Sequence, residues 1–276
     1  MRACGAYRWP VLGDSLPPRL QSSLVPLLIL GCGYTGRRVA ARFLAKGIPV
    51  TATTRHPQHL KLPGAQVISV DDLSSHLHPN SLVLHSIPPD GPQNLLHLLA
   101  GTPARVVYLS STAVYGTTSH VNKTTPVDPN GARARARLDA ERHITDNSPS
   151  SLILRPAAIY GPGRGIHESM QRGQYSLSDT YVSRIHVDDL AAHAEAALLS
   201  TLTGAYPVAD DEPCTSRQMA EFCAKLLKIP LAPGHDQPSR FASNRRVDGT
   251  AIRKLLGLSL TYPSYRDGVP ASLETK

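Results

Sequence analysis

Aromatic side chains are scarce in this chain: one tryptophan and three phenylalanines join ten tyrosines among 276 residues, 5% in all. So few flat platforms argue against stacking of single-stranded bases, although a formal charge of +8 has the sign of a nucleic-acid binder. The positive residues are mostly dispersed, locally dense only at Arg133 to Arg137 and Arg240 to Arg246, and no nucleic-acid partner is expected. Long apolar runs are missing too. The longest, Val25 to Leu30, stops at Gly31, far below the roughly 18 residues that cross a bilayer, so no membrane partner is expected. Cysteine is sparse: Cys4, Cys32, Cys214 and Cys223 stand apart with no CxxC pair, which excludes a disulfide framework or a zinc site and suits a reducing cytoplasm. The twelve histidines supply no metal site either. His56/His59 and His76/His78 lack ligand spacing and read as surface loop residues.

Hydrophobic residues at 41% are enough for a core, and 276 residues suit one large α/β domain with a small lid. Residues 1–24 carry Arg2, Arg8 and Arg19, one acid, Asp14, and three helix-breaking prolines. They read as a disordered extension, or as sequence upstream of a true start near Val25, in preference to an Arg-rich transit peptide. From Val25 strands and helices alternate. Strands are expected at Leu27–Leu30, Ile48–Thr53, Ala65–Val70, Ser81–Ser86, Arg105–Ser110 and Ser151–Leu154. Helices are expected at Thr35–Lys46, Gln93–Ala100, from an Asn130 cap to Ile144, Val187–Ser200, Ser216–Lys228 and shortly after Asp248. Such alternation forces parallel pairing, hence an α/β, Rossmann-like doubly wound sheet over 25–200. Residues 201–276, with parts of 162–182, are expected to form a small irregular substrate-side lid.

Between the first strand and first helix stands Gly31-Cys32-Gly33-Tyr34-Thr35-Gly36. Gly31 permits a tight turn, Gly33 lets backbone approach a diphosphate, and Gly36 lets helix and strand pack closely, with the helix N-terminus facing the phosphates. Strand–GxGxxG–helix is the context a dinucleotide site demands. An NAD reader ends its second strand with an acid on the ribose 2′-hydroxyl, but here the segment runs Val50 to Arg55 with no acid. Arg55 and Arg37 can instead neutralise a 2′-phosphate, so NADP is expected over NAD.

Four blocks together resemble the extended short-chain dehydrogenase/reductases, the NAD(P)-dependent epimerase/dehydratase family: the glycine turn, Leu109 to Gly116, Leu154 to Arg164, and Arg184 to Leu190. The resemblance implies a catalytic hydroxyl at Ser111 and cofactor contacts from Tyr34, Thr35, Asp71 or Asp72, Ser86, Ile87 and Pro156. It also implies a homodimer, by analogy with relatives that pair through helices flanking the site. The family's Tyr/Lys pair, four residues apart on one helix, is absent: the residues four after the ten tyrosines include no lysine. Alignment on Glu141 puts Arg133 and Arg137 at those places.

Positions 133 and 137 share a helical face. Arg137 can hold ribose or phosphate, but Arg133 cannot replace a tyrosine as acid, since arginine stays protonated with a pKa of about 12.5–13.8. The RARARAR stretch is equally readable as a solvated basic face. Another proton carrier is then needed, and Tyr115, Tyr160 and His186 are the candidates, each with a structural alternative of packing or anchoring. Arg133, Arg164 and Arg184 can bind an anionic substrate, and Arg155 reads as structural. Two functions stay open: an enzyme acting on a sugar-like or carbonyl substrate, nucleotide-linked or not, and an NADP(H)-binding sensor or interaction module with little turnover.

Overall fold

A computed structural model describes residues 25–77, 80–89, 103–148, 150–231 and 244–274. Seven strands, numbered in chain order, form the central sheet: β1 (Leu27–Leu30), β2 (Val50–Thr54), β3 (Gln66–Ser69), β4 (Leu82–His85), β5 (Arg105–Leu109), β6 (Ser151–Pro156) and β7 (Gly204–Val208). Every pairing is parallel, in the order β7-β6-β5-β4-β1-β2-β3. β1 sits between β2 and β4, so the chain reverses its direction of winding there and leaves a crevice at the carboxyl edge.

The apolar runs are continuous because both faces are covered. Leu27 and Ile29 point to one side, where Val39, Ala40 and Phe43 of helix α1 (Tyr34–Leu44) pack. Leu28 and Leu30 point to the other, against Tyr108 and the helix α2 (Ala132–Asn147) residues Ala140 and Ile144. The four β1 side chains are fully buried, each worth on the order of 1.5–3 kcal/mol.

α2 is capped by Gly131 with no side-chain bond, so the expected Asn130 cap is corrected. The short helix α3 (Ile166–Gln171) follows β6 and leads toward α4 (Val187–Leu198). α5 (Ser216–Leu227) starts with a reciprocal capping box between Thr215 and Gln218. α6 (Thr250–Leu256) is the short helix expected after Asp248, and α7 (Tyr265–Glu274) closes the described chain. Three further two-stranded pairs join Ala158–Tyr160 with Arg184–His186, Tyr181–Val182 with Cys214–Thr215, and His120–Val121 with Arg246–Val247.

Residues 201–276 do not all stand apart from the main sheet, because Gly204–Val208 completes it beside β6. Met170, Cys214, Met219, Cys223, Tyr265 and Val269 gather with Tyr160 in a separate hydrophobic cluster. Of the histidines expected on the surface, His56 and His59 are exposed, His76 is half-buried and His78 lies outside the described residues. His85, His167, His186 and His193 are buried. The helix expected at Gln93–Ala100 and the extension 1–24 lie outside the described residues. No helix among the described residues is long and apolar enough to cross a membrane, and no cluster there could hold a metal ion.

Candidate active site

β1 ends in Gly31 at φ +77°, where a Cβ would stand 2.7 Å from Ile87 Cγ1. Only glycine brings the ends of β1 and β4 together this way. Neighbouring strands lock the turn: the Gly31 N–H donates to Thr53 Oγ1 at 3.1 Å, and Ser86 Oγ donates to the Gly31 carbonyl at 2.6 Å. At Gly36 a Cβ would lie 3.2 Å from Ile29 Cγ2, which measures how closely α1 packs on β1. At Gly33 it would meet only the Gly31 carbonyl at 3.9 Å, so that face is open.

A cleft of about 480 Å³ lies over this turn, lined by Gly31, Gly33, Arg55, Ser86, Ile87 and their neighbours. α1 starts without a side-chain cap and with no acid in its first turn, leaving its N–H groups for an anion. These features fit the diphosphate bridge of a dinucleotide. Thr35 is buried beneath the turn, and Tyr34 is half-buried at its end. Arg37 and Asp71 are exposed and line no part of the cleft; Asp71 is instead held by Ser69 Oγ at 3.3 Å. Cys32 is in the cleft wall, but burial pushes its thiol up to about 11, so it is a poor nucleophile.

A second cleft, about 730 Å³, lies at the carboxyl ends of β5 and β6. Ser111, Arg133, Arg137, Tyr160, Arg164 and Arg184 are in its walls, with Pro156. Ser111 caps the turn Thr112–Tyr115, its Oγ accepting from the Ala113 N–H at 3.1 Å. That bond leaves the hydroxyl hydrogen for an oxygen in the cleft. Arg137 is half-buried and donates to the Leu109 carbonyl at 3.5 Å, while Arg133 is exposed.

The other proton-carrier candidates are engaged elsewhere. The Tyr115 hydroxyl accepts from Arg155 Nη1 at 3.0 Å in a fully buried site, outside the cleft wall. Tyr160 does reach the wall, yet its hydroxyl donates to the Ser264 carbonyl at 3.1 Å, and burial raises its pKa far above the ordinary phenol value. His186 caps α4, its Nδ1 accepting from the Asp188 N–H at 3.2 Å. Its Nε2 donates to Ser272 Oγ at 3.2 Å, because that hydroxyl gives its own hydrogen to the Gly268 carbonyl. Both ring nitrogens are thus occupied in a neutral imidazole, and burial lowers its pKa. Arg184 is buried, with Nη1 donating to the carbonyls of Val182 at 2.8 Å and Cys214 at 3.0 Å, which makes it a structural tie. Arg155 is structural, paired with Glu141 at 2.6 Å.

Residues that motif reading missed also line the second cleft: Tyr175, Gln174 and Ser169. They follow the Gly161–Arg164 loop in a stretch with no motif, and only the expectation that parts of 162–182 face substrate pointed near them.

Comparison with known proteins gives a concordant picture. The profile of the NAD dependent epimerase/dehydratase family matches residues 78–207. A 3-diazoavenalumate denitrifying reductase from a Streptomyces species is 31% identical over 158 residues, 50% of this chain and 52% of that protein. The chain therefore spans about half the length of this curated relative. Among solved structures, a conserved protein of unknown function from Silicibacter pomeroyi is 30% identical over 91% of this chain and 98% of that one, with a TM-score of 0.77. A candidate NAD-dependent epimerase/dehydratase from Methylobacillus flagellatus is 28% identical, covering 92% of this chain and 99% of that one, with a TM-score of 0.76. The Bordetella bronchiseptica enzyme WbmG, solved with NAD and UDP, shares the fold at 17% identity, covering 91% and 94% of the two chains with a TM-score of 0.76. The profile match makes residues 78–207 a segment of the NAD dependent epimerase/dehydratase family, and the seven-stranded sheet and glycine turn around it have that family's fold.

Proposed function

We propose that this chain is an NADP-linked oxidoreductase of the reductase, dehydratase or epimerase kind, acting on a small carbonyl or sugar-like molecule. The observation that carries the reading is the placement of both clefts along the carboxyl edge of one parallel sheet, with Ser111 in the second. The nicotinamide of a bound cofactor would supply or accept hydride there. Ser111 donates its hydroxyl hydrogen to the substrate oxygen and fixes the angle at which the reacting carbon presents itself. Arg137 holds ribose hydroxyls, and Arg133 and Arg164 attract an anionic part of the substrate.

A proton must accompany hydride in any carbonyl reduction. Arg133 cannot supply it, and Tyr115, Tyr160 and His186 are engaged as described. We assign that role to Tyr175 on its place alone, as a half-buried phenol in the wall that Ser111 also lines. NADP is assigned over NAD because Arg55 lines the first cleft and β2 ends without an acid. A cytoplasmic setting belongs to the same reading, and the buried free thiols Cys32, Cys214 and Cys223 agree with it.

The test begins with calorimetric titration of NADP+ and NAD+. NADPH oxidation is then followed against a panel of aldehydes, ketones and nucleotide sugars. Turnover should vanish in Ser111→Ala and fall on the order of 100-fold in Tyr175→Phe, with cofactor affinity unchanged. Tight cofactor binding without turnover on any compound would overturn the enzyme in favour of a sensing module.

A further inference from the structure

Beside Ser111 stands a buried cation with no counter-ion among the described residues. Arg245 is only 8% exposed, and its backbone is bridged to Val182. Its guanidinium holds the turn that starts at Ser111: Nε donates to the Thr118 carbonyl at 3.1 Å, Nη1 to that of Thr112 and Nη2 to that of Gly116. All three partners are neutral. No carboxylate among the described residues offsets the charge, and burial is the main influence on its pKa, which it lowers. Arg155, near the same turn, has Glu141. Burying an ion without an opposite charge costs several kcal/mol, so the unbalanced guanidinium needs a reason.

A side pocket of about 150 Å³ supplies one. Arg245 and Ser111 both line it, and it shares Ser111, Ala113, Ala157, Ala158 and Val182 with the main cleft. Ala157, Ala158, Val182, Val247 and the ring of Tyr181 give it apolar walls, beside the polar Thr112 and Ser183, whose hydroxyl accepts from the Val247 N–H at 2.8 Å. A cavity of about 150 Å³ accepts a benzene ring. Nη1 and Nη2 each carry a second N–H that no carbonyl among the described residues takes, so an anion can be received while the turn stays held.

We propose that this pocket is a substrate subsite for a carboxylate borne on a flat, apolar stem, with Arg245 as its counter-ion and Ser111 at the rim facing the reacting carbon. The planar fork of arginine matches a carboxylate, and alanine and valine walls suit a carbon stem better than a hydrated phosphate. The inference rests on the proposed function in taking the adjoining cleft as the substrate site.

The experiment titrates the NADP+-saturated protein with benzoate and with benzamide by calorimetry. Benzoate should bind at least tenfold more tightly than its uncharged amide. Arg245→Gln should erase that difference while NADP+ affinity stays unchanged. Ala113→Leu, at an exposed rim position, should exclude benzoate with Arg245 intact, and it decides the matter if Arg245→Gln fails to fold. Equal binding of acid and amide, no benzoate binding by the unaltered protein, or undiminished binding in Ala113→Leu would overturn the subsite. Absence of NADP+ binding would instead strike the proposed function, and the benzoate–benzamide comparison made without nucleotide would still judge the pocket.

Discussion

The Tyr34 hydroxyl donates to the Pro162 carbonyl at 2.9 Å across 128 positions of sequence. Tyr34 opens α1 next to the first cleft, and Pro162 belongs to the loop that carries Arg164 into the second, so one hydrogen bond joins segments bordering the two clefts. Arg164 stands 5.4 Å from the centre of the Tyr34 ring, and Arg38 donates to the Tyr34 carbonyl at 2.9 Å. Burial raises the pKa of Tyr34, so the phenol keeps its proton at neutral pH. Tyr34→Phe keeps the ring and deletes the bond, at a cost of about 1 kcal/mol. The melting temperature should fall by about 2–4 °C in calorimetric scans, with NADP+ affinity changed by less than about threefold. No shift in melting would show that the loop is held by other contacts.

Beneath the Ser111 turn, Ser110 Oγ donates to Glu141, Arg155 Nη2 pairs with Glu141 Oε2 at 2.6 Å, and Arg155 Nη1 reaches the Tyr115 hydroxyl. Removing one charge leaves the other buried and unpaired, which costs about 3–5 kcal/mol. Glu141→Gln should therefore lower the melting temperature by on the order of 10 °C. Replacing both partners together, Glu141→Leu with Arg155→Met, should recover much of that loss, because neither charge then needs a partner. Thermal unfolding followed by circular dichroism measures both, and a double variant no better than the single one would refute the account.

Asp210 gives the stability a pH slope. Both carboxylate oxygens lack a hydrogen-bond partner among the described residues. Burial first, then Asp211 and Glu212, push its pKa up to about 8. Between about pH 4 and that value the folded protein keeps the proton that the unfolded chain has lost, so stability falls as pH rises through this window. Asp210→Asn mimics the protonated acid and removes the slope. In urea unfolding at pH 5, 6.5 and 8 the variant should gain on the parent progressively. His85, held by burial at about 4, destabilises both proteins as pH drops below 6.5, so it cancels in the difference. A gap that stays constant with pH would contradict the Asp210 assignment.

β1, β4, β5 and β6 are legible in the sequence because strands buried on both faces carry runs of apolar residues, and β2 (VTATT) and the edge strand β3 (QVIS) are legible from their β-branched residues. β7 is not. Its Gly204 and Pro207 mark a turn in isolation, and proline is tolerated here because the strand lies at the sheet edge. α7 hides for a similar reason, since Gly268 and Pro270 interrupt it. It forms because Tyr265 and Val269 pack into the cluster around Tyr160. Among the site residues, Ser111 is reached through the resemblance of the Leu109 to Gly116 block, and the turn it caps is local. The engagement of His186 is set by Ser272, 86 residues later, and no local pattern carries that information. Motifs place side chains on elements; distant partners decide which of them remain available.

Gly31 and Gly33 separate folding from binding within one turn. At Gly31 any side chain faces both a positive φ, which costs about 1–2 kcal/mol, and the Ile87 side chain at 2.7 Å. Gly31→Ala should therefore lower the melting temperature by several degrees as well as weaken NADP+ binding. At Gly33 φ is −97° and the added methyl meets no protein atom closer than 3.9 Å. Gly33→Ala should lower the melting temperature by less than Gly31→Ala does, because no contact is lost and the added methyl has room. It should still weaken NADP+ binding by about tenfold or more, since the methyl occupies the space where backbone approaches the diphosphate. Paired melting scans and calorimetric titrations read both quantities. If Gly33→Ala bound NADP+ as tightly as the parent, the diphosphate would have to lie elsewhere than over this turn.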